Sequence, residues 1–155
     1  MAGARFDIHY YIKEIGMKIN IVYWSGTGNT QMMADAIAEG AKGAGADVTV
    51  IPVSEADASA ADADVVILGC PAMGAESLED SEFEPFYESV KDKLSGKKVA
   101  LFGSYDWGDG EWMRTWQADA EGAGAVMVAD GLIVNNTPDD SGLGDCRALG
   151  EKAAS

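Results

Sequence analysis

The chain has little with which to do covalent or metal chemistry. Among its 155 residues there is one histidine and there are two cysteines. The histidine, His9, lies in an N-terminal stretch, MAGARFDIHYYIKEIG, that stands apart from the pattern following it. Histidine-based catalysis and a histidine metal site are therefore not expected. Cys70 and Cys146 form no CxxC or Cys/His metal spacing, and Cys70 ends an apolar run where a buried thiol behaves as a small hydrophobe. No run approaches the roughly 18 apolar residues needed to span a bilayer, and the start lacks the apolar core of a signal peptide. The expected location is the cytoplasm. Basic residues are also scarce: 11 Lys and Arg face 26 Asp and Glu, a formal net charge of -15. Such a field repels nucleic acid and anionic membranes and attracts basic protein partners. Solubility alone is the plainer reading of the same charge.

Linkers and internal repeats are absent too, and a chain of this length suits one domain with a two-sided core. That domain is expected to run from 17 to 155, with residues 1–16 an extension to which no role is assigned. From Met17 onward, apolar runs alternate with helical patterns. The runs are KINIVYW (18–24), DVTVIPV (47–53), DVVILGC (64–70), KKVALFG (97–103) and AVMVADGLIV (125–134). Continuous apolar runs of this length suit strands buried on both faces of a parallel sheet. Residues 29–43 carry Met32, Met33, Ala36, Ile37 and Gly40 at helical spacing, ended by GAGAD. A second helix is predicted over about 82–94, with Ser81 and Glu84 as its capping pair and Pro85 in its first turn. EWMRTWQADAEGAG supplies a third, 142–154 a fourth, and SEADASAADA (54–63) a short one. The order predicts an α/β three-layer sandwich around a five-stranded parallel sheet.

In such sheets ligands bind beyond the carboxyl ends of the strands, where strand order reverses. Three loops that follow strands are informative. SGTGNT (25–30) offers backbone N–H groups, the hydroxyls of Ser25, Thr27 and Thr30, the Asn29 amide and a helix N-terminus, all favourable to an anion. It lacks the lysine of a Walker A loop. It also lacks the third glycine of a dinucleotide fingerprint, since Gly26 and Gly28 are followed by Gln31. What remains is a neutral nest for one terminal phosphate, or a turn that merely caps a helix. The loop after the third run, PAMGAESLEDS, carries Met73, and SYDWGDG carries Tyr105 and Trp107 among glycines. A flat ligand stacked on these side chains gains about 0.5–1.5 kcal/mol per aromatic contact. Core or partner-surface packing is the alternative for each residue taken alone. A phosphate at one end and a planar ring at the other describe FMN.

From Met17 to near its end the sequence resembles the flavodoxins, through YWSGTGNT, LGCPAMG, EDSEFEPF, KKVALFGSY, WGDGEWM and IVNNTPD in order. It is most similar to the short-chain group, because no long insertion interrupts the fifth run. The resemblance implies strand order 2-1-3-4-5 and a small acidic monomer. It also implies an FMN protein that carries single electrons at low potential between semiquinone and hydroquinone. Residue by residue, it implies that Ser25, Gly26, Thr27, Gly28, Asn29 and Thr30 hold the phosphate. Met73 and Trp107 would cover the two ring faces, beside Pro71 and Ala72. The Gly74 carbonyl would accept the N5 proton, and Glu76 would bond at N3. Backbone groups of Ser104, Tyr105, Asp106, Trp107 and Gly108 would meet the pyrimidine end, with Asn136 nearby. Ferredoxin-utilising reductases and oxidoreductases with basic docking surfaces are the implied partners.

Two departures stand out. A type II turn over Gly74-Ala75 would force positive φ on Ala75, at about 1 kcal/mol, whereas type II′ requires it only at Gly74. Asp106 replaces a usual glycine. The competing readings are an FMN-dependent NAD(P)H or quinone reductase, a phosphatase or receiver domain of the same fold, and a binding module without redox chemistry. The phosphatase would need an arginine after Cys70, and CPAMGAES has none.

Overall fold

The computed structural model describes residues 16–155. The expected extension, 1–16, falls outside them apart from Gly16. Six strands, β1 (Lys18–Tyr23), β2 (Asp47–Pro52), β3 (Val65–Gly69), β4 (Lys98–Tyr105), β5 (Val126–Met127) and β6 (Leu132–Asn135), form one sheet. Its order is β2-β1-β3-β4-β5, every pairing is parallel, and β6 also pairs with β4. Among the described residues four α-helices flank it: α1 (Asn29–Gly43), α2 (Phe83–Val90), α3 (Glu111–Gly122) and α4 (Asp140–Ala153).

Strand alternation sorts the core into two layers. Ile19, Ile21, Val65, Ile67, Ala100 and Phe102 point toward α1 and α4, where they meet Met33, Ile37, Cys146 and Leu149. Val22, Val66, Leu68, Val99 and Leu101 point the other way, onto Phe83, Val90, Trp112 and Trp116 of α2 and α3. The central strands are thus buried on both faces, as their unbroken apolar runs require. Gly40 and Gly150 let α1 and α4 cross closely: a Cβ on Gly40 would collide with the Arg147 carbonyl, and one on Gly150 with that of Ile37.

Three expectations need correction. The fifth strand is interrupted. Ala100 and Leu101 of β4 face four residues, 128–131, because Val99 pairs with Met127 and Phe102 with Leu132. The surplus bends out to α3, where the Gly131 N–H donates to Gln117 Oε1 at 2.8 Å and Gln117 Nε2 donates to Asp130 at 3.1 Å. Residues 54–63 form two short 3-10 turns, Val53–Glu55 and Ala58–Asp62, in place of an α-helix. Finally, α2 is capped by Glu79 and not by the Ser81/Glu84 pair. Glu79 Oε1 accepts from the N–H groups of Glu82 and Phe83, both at 2.8 Å. Pro85 does lie in the first turn, and a 3-10 turn, Lys91–Lys93, prolongs the helix.

Candidate cofactor site

Because β1, β3 and β4 are neighbours, the loops leaving their carboxyl ends converge. Between them lies an open cleft of about 210 Å³. Gly26, Thr27 and Asn29 line it from the first loop and Pro71, Ala72 and Met73 from the second. Ser104, Tyr105 and Asp106 line it from the third, and Asn136 from beyond β6. No lysine or arginine is among its lining residues.

The first loop is wound around its own hydroxyls. Ser25 Oγ accepts from the N–H groups of Gly28 at 3.1 Å and Gln31 at 3.3 Å, and Thr27 Oγ1 accepts from that of Asn29 at 3.3 Å. Gly28, at φ 96°, makes the left-handed entry to α1, which suits a residue without Cβ. Three residues of this loop do not line the cleft: Gly28, which turns the chain into α1, Ser25 and Thr30. Ser25 faces a neighbouring recess with Tyr23 and Pro52. Thr30 is buried, its Oγ1 lying 3.0 Å from Ser104 Oγ and accepting from the Ser104 N–H at 3.4 Å. The hydroxyl expected on a phosphate thus ties the start of α1 to the end of β4.

The second loop leaves β3 through Cys70, whose thiol is pushed up to about 12 by burial. That thiol donates to the Pro71 carbonyl at 3.6 Å and is no nucleophile. Ala72 N–H donates to the Ser104 carbonyl at 3.0 Å, holding this loop against β4. A hydrogen-bonded turn follows: Glu76 N–H donates to the Met73 carbonyl at 2.8 Å, and Met73 N–H to that of Ser77 at 3.0 Å. Neither Gly74 nor Ala75 has positive φ; Glu76 does, at 50°. The turn is neither type II nor type II′, so the strain expected at Ala75 is absent. A turn followed by one left-handed residue, with the further bond back from Met73, is the bulged form of a three-residue hairpin loop.

In the third loop Tyr105 is the last residue of β4 and packs on Trp112, ring centroids 5.6 Å apart. Trp107 stands 58% exposed. Gly108, at φ 88°, lies over Glu76, and a Cβ there would collide with the Glu76 carboxylate. Asn136, at φ 57°, donates its N–H to the Tyr105 carbonyl at 2.7 Å, bringing the residue after β6 to the cleft. Gly74, Ala75, Glu76, Trp107 and Gly108 do not line the cleft itself, though they adjoin Met73 and Asp106, which do; Glu76 also borders a separate recess with Tyr87 and Trp116. Trp24, which sequence reasoning assigned to a strand, does line it, and its ring lies against Gly26. Its place immediately before the glycine loop was the available signal.

The Flavodoxin family profile matches residues 21–150. The flavodoxin of Clostridium beijerinckii is 53% identical over 137 residues, covering 88% of this chain and 99% of that protein. That of Megasphaera elsdenii is 50% identical, covering 88% and 98%. The solution structure of two-electron reduced Megasphaera elsdenii flavodoxin superposes with a TM-score of 0.80 at 49% identity, covering 88% and 98% of the two chains. The chain belongs to the flavodoxin family. As a flavodoxin it is an FMN-binding electron-transfer protein and not an enzyme.

The residues present fit that cofactor. Glu76 Oε1 is buried without a hydrogen-bond partner beneath Gly108. An unpaired buried acceptor costs about 1–3 kcal/mol, and an N–H donor, such as the flavodoxin cofactor's pyrimidine edge carries, would satisfy it. Gly26, Thr27 and Asn29 of the first loop line the cleft with no charged side chain among them. Among the described residues no group of His, Cys, Asp and Glu is placed to hold a metal ion. No helix there is long and apolar enough to cross a membrane.

Proposed function

We propose that this flavodoxin is a low-potential carrier of single electrons, cycling its FMN between semiquinone and hydroquinone. It would act as a cytoplasmic monomer, delivering to redox proteins with basic docking surfaces, of the kind that also use ferredoxin. The observation that carries the reading is the charge of the cleft. Its lining holds one carboxylate, Asp106, and no cation. An electron added to the cofactor there meets no compensating charge, so reduction is made harder and the reduced form is a strong donor. Trp107 over the ring would leave no room for a nicotinamide, which speaks against an NAD(P)H reductase.

The flavin supplies the redox chemistry, and the protein supplies binding, orientation and field. Gly26, Thr27, Asn29 and the start of α1 would bind the terminal phosphate through N–H groups and hydroxyls, with the helix dipole as the only positive element. Met73 would cover one ring face and Trp107 the other. The Gly74 carbonyl would hold the proton gained at N5, and Glu76 would accept from N3–H. The exposed Trp107 side of the rim is where a partner would approach.

Titrating the protein, stripped of flavin, with FMN and with riboflavin while following flavin fluorescence tests the site. FMN is expected to bind at least tenfold more tightly than riboflavin. Equal affinities would remove the phosphate role of the first loop, and no binding of either would overturn the reading.

A further inference from the structure

Glu79 is the one buried carboxylate among the described residues, 5% exposed in a run of acidic residues that otherwise face solvent. All its polar atoms are engaged. Oε1 accepts from the Glu82 and Phe83 N–H groups, and Oε2 accepts from the Ser81 N–H at 2.9 Å and from the Ser81 hydroxyl. Its carbonyl accepts from the Glu84 N–H at 2.9 Å. Its own N–H donates to Cys70 Sγ at 3.4 Å. That last bond spans the loop, because Cys70 is where the chain leaves β3.

We infer that Glu79 is a positioning residue for the Met73–Glu76 turn: with Cys70 it clasps both ends of the 70–79 loop and holds the turn against the cofactor. The inference rests on the flavodoxin reading of the site. Cys70 is fixed on its own side, its N–H donating to the Phe102 carbonyl at 3.1 Å and its carbonyl accepting from Trp112 Nε1 at 3.2 Å. Glu79 is fixed to the first turn of α2. The loop is therefore pinned to β4, to α3 and to α2 at two adjoining points, and the turn projects between them. Inside the loop the turn has only its two backbone bonds. An acceptor carbonyl on a tethered turn is already placed when the cofactor gains a proton, whereas on a loose one the ordering entropy falls due at that step. The bond to Cys70 is made by the Glu79 backbone N–H; the side chain's part in the clasp is to hold that N–H in place, by tying residue 79 to Ser81, Glu82 and Phe83 at the start of α2.

The test compares Glu79→Ala, Glu79→Gln and the milder Ser81→Ala, which removes only the hydroxyl donor. Before FMN is added, amide hydrogen exchange at Met73 and Glu76 is read against the Ala100 amide in β4. With FMN bound, the separation of the two one-electron potentials is read. Glu79→Ala is expected to speed exchange of the two turn amides at least tenfold with Ala100 unchanged. It should also narrow the separation by about 59 mV, a tenfold change in the corresponding equilibrium constant. Glu79→Gln, keeping one acceptor oxygen, restores part of both. A lower Tm with turn exchange and potentials unchanged would make Glu79 a helix cap only and overturn the proposal. Should Glu79→Ala not fold, Ser81→Ala decides: a smaller shift in the same direction is expected, and no shift overturns it. If the wild-type protein binds no FMN, the functional reading fails, while the exchange comparison still decides whether the clasp exists.

Discussion

Asp106 and Asp109 share a loop but do not stand equally toward the cleft. Asp106 lines it, whereas Asp109 is held by Arg114, with Nη2 3.0 Å from its carboxylate and Nη1 donating to its carbonyl at 3.0 Å. Sequence alone presents them as equivalent carboxylates; the arginine that separates them lies a turn into α3. One carboxylate about 10 Å from an added electron, at an effective dielectric of about 20, opposes it by roughly 1.7 kcal/mol, on the order of 70 mV before salt screening. Asp106→Asn is therefore expected to raise the lower potential by tens of millivolts. Asp109→Asn also frees the Arg114 charge, so the discriminating variant is Asp106. Potentiometry of Asp106→Asn with an unchanged lower potential would contradict the field argument. Trp24 and Thr30 show the limit of reading single residues. The type of each was legible, but whether Trp24 lines the cleft depends on how the adjoining loop folds at Gly26, and whether the Thr30 hydroxyl is free depends on a residue distant in the chain, Ser104.

Among the elements, the central strands and α1 were legible because their patterns are unmixed: continuous apolar runs for strands buried on both faces, and a clear helical stripe in 29–43. The cap of α2 was not. ESLEDSEFEPF contains many carboxylates, and periodicity does not say which one turns inward. Nor does the apolar run 125–134 disclose that Gln117 and Asp130 will draw its middle toward α3. The cap carries a pH signature. Burial raises the Glu79 pKa, but the hydrogen bonds from Ser81, Phe83 and Glu82 outweigh it and bring it from 4.5 to about 2. A carboxylate depressed on folding stabilises the fold fully above its unfolded value and loses that contribution as pH falls toward its folded value. Stability should thus decline between about pH 5 and pH 2, with Glu79 contributing on the order of 2 kcal/mol after allowance for solvent screening. Urea unfolding at pH 7 and pH 3 checks this. The decline should be smaller in Glu79→Gln, and an equal decline in both proteins would remove Glu79 as its source.

Across the whole molecule the scarce cations are segregated. Lys18, Lys97 and Lys98 stand at the starts of β1 and β4, and Lys42 and Lys152 lie in the last turns of α1 and α4. In a parallel α/β sheet these positions share the end opposite the carboxyl ends of the strands. There Lys42 and Lys152 complement helix C-termini, and Arg114, beside the third cleft loop, is already paired with Asp109. No ion pair among the described residues engages Asp106 at the cleft. That arrangement would both steer basic partners to the rim and oppose electron addition. The two effects share a cause, so a single experiment reaches the account's centre: anaerobic stepwise reduction of the FMN-loaded protein, followed by visible absorption against measured potential. Two separate one-electron steps, with a blue neutral intermediate and a second step at strongly reducing potential, are the predicted result. A single two-electron bleaching, or a second step no lower than that of free FMN, would contradict it.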